Sequence, residues 1–344
     1  MTDATAPPAA PAAQPELTIV ELPYHRLYRA QPAYRWWRPL VAIVMTAVFF
    51  LGVSLLLAVP LFIVLFATNA IDFLSPDVND ELTALVSPDM ARPWTLLFGL
   101  GSIILVLPLV PLALRIAGIR PAGVRVNILH SVLMRLRWRW LLVAFIPAAA
   151  VWIVTFAGQI GIGLSLGDEL LPFSIDVPTY LISVLIVVLL VPLQAATEEY
   201  LYRGVLLQSV GAWVRWAPVT IVVSAAIFGV SHAYDGWGIL TVVVMAVGFA
   251  VVTIRTGGLE ASIAMHTVNN VAAFAVMGTG MFGPTGMTED TGGPAGLVAQ
   301  IITVGLWVAG VEWFARRNGI ERLSRIGVPL IPAPPAGMLR PYGS

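Results

Sequence analysis

Long apolar runs broken by short clusters of charge decide what this chain can fold into. The first, from about Leu40 to Ala67, contains no charged side chain. About 20 helical residues cross the ~30 Å hydrocarbon layer of a bilayer. Inside that layer every backbone amide needs an internal partner, which a helix supplies. Similar runs cover about Trp94 to Leu114, Trp140 to Ile162, and Tyr180 into Glu198 and Glu199. Four more lie at roughly Ala217–Ser231, Ile239–Ile254, Ala261–Met277 and Leu297–Phe314. The expectation is an all-α, polytopic transmembrane helical bundle of about eight spans, with Pro60 as a kink site in the first. Composition agrees: 58% of residues are hydrophobic, 11% are charged, and mean hydropathy is +0.87.

Every basic residue is arginine, and the arginines fall in alternate loops. They stand before span one, between spans two and three, and after spans four, six and eight. The other loops carry acids and, apart from Arg92, no arginine. Excess positive charge marks cytoplasmic loops, so the chain is expected in the plasma membrane with both termini cytoplasmic. Residues 1–38 read as a disordered Pro/Ala-rich tail, ending near residue 20, followed by a juxtamembrane segment. Residues 39–315 form the transmembrane domain, with its motif core at about 180–277, and residues 316–344 form a cytoplasmic tail. Val132, Leu133 and Leu136 alternate with arginines, which predicts a surface-lying amphipathic helix. Net charge is zero, which gives no case for nucleic acid. The absence of cysteine excludes disulfides, thiol catalysis and Cys-ligated metal.

Against this background three polar groups stand out. The run from Tyr180 ends in Thr197-Glu198-Glu199-Tyr200-Leu201-Tyr202-Arg203-Gly204. A charge at mid-bilayer costs roughly 2.5–3.5 kcal/mol on insertion scales. Glu199 and Arg203 are four apart and share a helix face. Glu198 is turned about 100° away and has no partner at i+4. Phe228 and His232, and His266 and Asn270, also have i, i+4 spacing. Taken singly, each is as well explained by packing or interhelical hydrogen bonding. Together, an unpaired glutamate followed by His, His and Asn predicts one buried polar cavity. His25 and His130 lie in arginine-rich segments and read as interface residues.

In order and spacing, EEYLYRG, FGVSH and HTVNN resemble the Glu-Glu-x-x-x-Arg, Phe-x-x-x-His and His-x-x-x-Asn motifs of the CPBP (CAAX protease and bacteriocin-processing) intramembrane endopeptidases. The resemblance covers about Tyr180 to Met277. It implies that Glu198 activates a water, His232 helps hold it, and His266 and Asn270 steady the oxyanion. Glu199, Arg203 and Phe228 would brace the site. Cleavage would fall within the membrane or at its cytoplasmic edge, on a membrane protein or lipidated peptide. If zinc takes part, Glu198, His232 and His266 are the ligand set. Two other classes compete: a non-proteolytic scaffold or bacteriocin-immunity-type protein, and a transporter using Glu198 as a proton relay. A complete Glu–His–His–Asn set favours the protease, and no Gly/Pro-broken repeat supports the transporter.

Other proteolytic signatures fail. His-Glu-x-x-His is absent. Gly163-Leu-Ser165-Leu-Gly167 matches a nucleophile elbow but reads as a loop without strand–turn–helix context. Tyr234-Asp235 lacks the Gly-x-Gly-Asp partner of aspartyl intramembrane proteases, and Asp235 reads as part of a turn. One conflict remains on depth. With these boundaries Glu198 lies about 27 Å into span four, whereas His232 ends span five and His266 begins span seven. Three resolutions are open: span four continues past Glu198, span five is tilted or re-entrant, or the boundaries differ.

Overall fold

The computed structural model describes residues 17–31, 34–68, 71–73, 75–232, 234–286 and 293–329. The helices are α1 (Arg38–Ala67), α2 (Val78–Val86), α3 (Pro93–Ile104), α4 (Leu109–Ile116) and α5 (Trp138–Leu166). They continue with α6 (Val177–Glu199), α7 (Leu207–Trp213), α8 (Ala217–Val230), α9 (Gly236–Thr256), α10 (Glu260–Met277) and α11 (Gly293–Arg317). A π-helical turn, Tyr200–Leu206, joins α6 to α7 without a break.

The eight expected spans all coincide with helices. Among the described residues six stretches are long and apolar enough to cross a membrane, including Pro93–Ile116 (α3 with α4) and Val177–Trp213. The other two differ for separate reasons. At 14 residues α8 is only about 21 Å long, and α10 carries Glu260, His266, Asn269 and Asn270. The outward faces are as apolar as the core: Leu56, Phe66, Leu142 and Leu189 are all exposed. Such a surface suits lipid rather than water, and the chain is an integral membrane protein. Pro60 lies inside α1 without ending it. Asp176 caps α6 by accepting from Thr179 N at 3.0 Å, and Asp235 caps α9 by accepting from Gly238 N at 2.6 Å.

The centre of the bundle is α10, which packs against α5, α6 and α9, while α9 also packs on α8 and α11. The end of the bundle bearing Arg137 and Arg255 departs from expectation in two places. Of the N-terminal tail, residues 1–16 lie outside the described residues, but Leu17–Pro23 is a strand, β1. It pairs antiparallel with β2, Leu323–Pro329, within the expected C-terminal tail. The surface amphipathic helix is absent. Residues 118–137 form turns instead, with Gly118 at φ 71° and Pro121 opposing a helix. There Ile128, Leu129 and Val132 point inward, and Val132 N donates to Gly257 O at 2.7 Å. The two histidines read as interface residues, His25 and His130, are buried within the protein. Burial holds both imidazoles below the ordinary histidine range.

An ion pair fastens this end. Backbone N and Nε of Arg137 both donate to Glu260 Oε1 at 2.9 Å, and Nη2 donates to Oε2 at 2.7 Å. The same guanidinium donates to Glu321 O and Thr256 O, each at 2.9 Å. One side chain thus ties the 118–137 loop, the end of α9, the start of α10 and the C-terminal segment together. Stranding one member of a buried pair costs about 3–5 kcal/mol. Arg137→Met and Glu260→Leu should each lower the melting temperature in detergent, and the double variant should lose less than the sum. Additive losses would show that the two side chains act independently.

Candidate active site

The depth conflict resolves by the first route: the fourth span continues past Glu198. From Glu198 to Trp213 is fifteen positions, and from Ala217 to His232 is another fifteen. The two arms of this hairpin therefore place Glu198 and His232 at the same height, about 22 Å from its tip. His266 arrives from α10, whose first residues Glu260 and Ala261 are, like Leu259 before them, fully buried. Because that helix starts beneath the 118–137 loop, it needs few residues to reach the same level.

Glu199 and Arg203 pair as their spacing implies, at 3.1 Å and with no exposure of either side chain. Arg203 also donates to Ala246 O at 3.3 Å. Its guanidinium lies 4.3 Å from the Phe228 ring centre and 5.1 Å from that of Phe249. Desolvated cation–π contacts of this kind are worth about 2 kcal/mol. Glu199 has a second partner, His266 Nδ1, at 3.0 Å. A carboxylate on Nδ1 fixes that nitrogen as the donor and sets the ring's orientation. Phe249 stacks on the same ring at 5.1 Å.

Glu198 is held differently. Its Oε1 accepts from Gln194 Nε2 at 2.6 Å. Its Oε2 is buried without a hydrogen-bond partner, and His266 Nε2 lies 3.4 Å away. A separation of that size is an electrostatic approach rather than a made hydrogen bond. His232 donates through Nδ1 to Phe228 O at 2.8 Å, which leaves Nε2 available. Asn270 Nδ2 donates to Gln194 Oε1 at 3.3 Å. Glu198, His232, His266 and Asn270 all line one cavity of 580 Å³, with Tyr234 and apolar residues of α3 and α9. The site set expected from sequence is therefore brought together, with Glu199, Arg203 and Phe228 behind it.

Sequence reasoning missed Gln194, Asn269, Tyr234 and Phe249. Gln194 carried a legible signal, because it precedes Glu198 by four and shares its face. Phe249 carried none. Asp235, as expected, serves a turn, whereas Ser165 lies in the last turn of α5 rather than a loop and donates to Ile162 O. No group of three His, Cys, Asp or Glu among the described residues is gathered to hold a metal ion. Glu199 occupies His266 Nδ1 and Phe228 O occupies His232 Nδ1, so each ring keeps only Nε2 for the cavity.

Residues 178–272 match a family model, that of the type II CAAX prenyl endopeptidases, Rce1-like. By that match the segment resembles this family. The matched residues contain all three motifs, with Gln194, Glu198, His232, His266 and Asn270. A relative from Bacillus subtilis (strain 168), named uncharacterized protein YyaK, is 27% identical over 142 residues, covering 38% of this chain. The chain spans about half, 48%, of that relative's length. No solved structure matches the chain.

Within the matched segment Arg203 has one acidic partner, whereas Glu199 pairs with both Arg203 and His266. Arg203→Met and Glu199→Leu should each lower the melting temperature in detergent by stranding a buried charge. The double variant should recover part of the loss. No recovery would mean that His266, deprived of its Nδ1 acceptor, is the larger share of what Glu199 stabilises.

Proposed function

We propose that this protein is an intramembrane endopeptidase of the CAAX-protease kind, in which Glu198 activates the attacking water. The observation that carries the reading is the unpartnered Oε2 of Glu198, buried at the wall of the cavity beside His266 Nε2. Glu199 Oε2 is also buried without a partner, but of the two glutamates Glu198 is the one that lines the cavity, where its free oxygen can take a proton from water. Water between Oε2 and the scissile carbonyl would lose its proton to Glu198 as its oxygen bonds to carbon. His232 Nε2 is the free acceptor that would hold that water on its other side. Asn270 Nδ2, and His266 Nε2 when its ring carries both protons, would donate to the oxyanion in a site shielded from bulk solvent. Glu198 would then return the proton to the departing amine as the C–N bond breaks, which balances the hydrolysis.

The adjacent glutamates divide the work by their partners. Glu199 is neutralised by Arg203 and holds His266 Nδ1; Glu198 meets the neutral amide of Gln194, the far nitrogen of His266 at 3.4 Å, and the cavity. The match of residues 178–272 to prenyl endopeptidases supports a lipidated peptide or membrane protein as substrate. Arginine placement supports cleavage toward the cytoplasmic side, with both termini there.

The decisive variant is Glu198→Gln, nearly isosteric and breaking no ion pair. In lipid nanodiscs, cleavage of a farnesylated CAAX peptide should fall by about 10²–10⁴-fold, the usual share of a general base. The melting temperature should stay near wild type. Wild-type rates in the variant would remove Glu198 from the chemistry. In the same assay, wild-type protein treated with chelator should stay active. Loss restored by zinc would instead make Glu198, His232 and His266 ligands.

A further inference from the structure

Gln194 is a costly residue for its place. It sits buried in an apolar helix at the cavity wall, where an unpaired amide would cost several kcal/mol. Both ends of its amide are used. Nε2 donates to Glu198 Oε1 at 2.6 Å, and Oε1 accepts from Asn270 Nδ2 at 3.3 Å. Asn270 Oδ1 in turn accepts from Asn269 Nδ2 at 3.0 Å. The direction of this chain is forced. An ionised carboxylate can only accept, so Gln194 must turn its nitrogen to Glu198 and its oxygen to Asn270. Asn270 must then turn its nitrogen to Gln194, and its oxygen is left for Asn269. Reversing any one amide would set two acceptors or two donors face to face.

Three amides therefore donate in one sense toward a single carboxylate oxygen. Hydrogen bonds in such a series polarise one another. We propose that Gln194 is a positioning residue, the last of three amides that pin Oε1 of Glu198 and so commit Oε2 to the reacting water. The chain also ties α6 to α10, so the base and Asn270 keep one separation. The proposal rests on the reading of Glu198 as the base. It adds what decides which oxygen acts, and it gives Asn269 a place in the site.

Titratable groups face Glu198 from three elements. His266 approaches from α10, Tyr202 and Arg203 follow on its own helix, and His232 and Tyr234 line the same cavity from the α8–α9 turn. Gln194 is the group that bonds Oε1 directly, and it is neutral, so removing it changes a hydrogen bond and no charge.

The test reads Glu198 itself and does not depend on finding a substrate. Protein labelled with ¹³C-glutamate is placed in nanodiscs, and the carboxylate band is isolated by subtracting the Glu198→Gln spectrum. Its titration midpoint is compared between wild type and Gln194→Met, each against its own Glu198→Gln partner. A donor to the charged form favours that form, so losing it should raise the midpoint by about one pH unit or more. Asn269→Leu should raise it by less, through the shortened chain. With the farnesylated peptide, the acidic limb of kcat/KM should move by the same amount, with little change in KM. An unchanged midpoint in folded Gln194→Met overturns the proposal. Should that variant not fold, Gln194→Glu places two carboxyls within hydrogen-bond reach, and their titration should split into two steps. A single, unshifted step there also overturns it. A shifted midpoint in a protein that leaves the peptide uncut would support the positioning and defeat the protease reading.

Discussion

One imidazole set between two glutamates organises the interior of this protein. His266 gives Nδ1 to Glu199 at 3.0 Å and turns Nε2 toward Glu198 at 3.4 Å. Everything around it serves to keep two acids and a base stable where water is excluded. Arg203 balances Glu199, and Phe228 and Phe249 bracket Arg203. Without Arg203 the cluster would hold two carboxylates and no permanent cation, at a cost that low-dielectric surroundings make prohibitive. With it, Glu199 becomes a fixture, and the neighbouring carboxylate can stay poorly satisfied.

The fold reaches this arrangement by bending the ordinary rules for membrane spans. The fourth helix runs through the charged stretch, and its π turn begins one residue after Glu199. Wide turns of that type recur at functional sites, because they re-aim side chains without breaking the helix. Its partner α8 stops short, at Val230, which leaves the partly buried His232 at the cavity wall. On the opposite side α10 starts buried, under a loop held by Arg137 and Glu260. Three helices with three different lengths meet at one height.

Much of this could be read from the chain. The spans followed from apolar runs, and the i, i+4 rule found the Glu199–Arg203 pair and the shared faces of the histidine motifs. Boundaries failed where polarity was judged without its partner. Glu198, Glu199 and Arg203 lower hydropathy as if each met lipid alone, so the fourth span seemed to end where it only turned inward. The 118–137 segment failed for a related reason. Its arginines suggested a surface helix, while Leu129 and Val132 were committed to contacts with Tyr24 and Gly257, far away in sequence. The β1–β2 pairing joins the two ends of the chain, and no local pattern announces it. Gln194 was legible by spacing but overlooked, since a neutral amide draws less notice than a charge.

The central claim is that two adjacent glutamates face different environments, Glu198 a cavity and Glu199 the packed interior. The chain has no cysteine, so thiols can be introduced one at a time on a silent background. Glu198→Cys and Glu199→Cys, the latter combined with Arg203→Met so that no charge is stranded, would be treated in nanodiscs with a small water-soluble thiosulfonate. Modification would be followed by intact mass. The account predicts labelling at position 198 and protection at position 199 until the protein is unfolded. Equal labelling at both positions, or labelling at 199 alone, would contradict it.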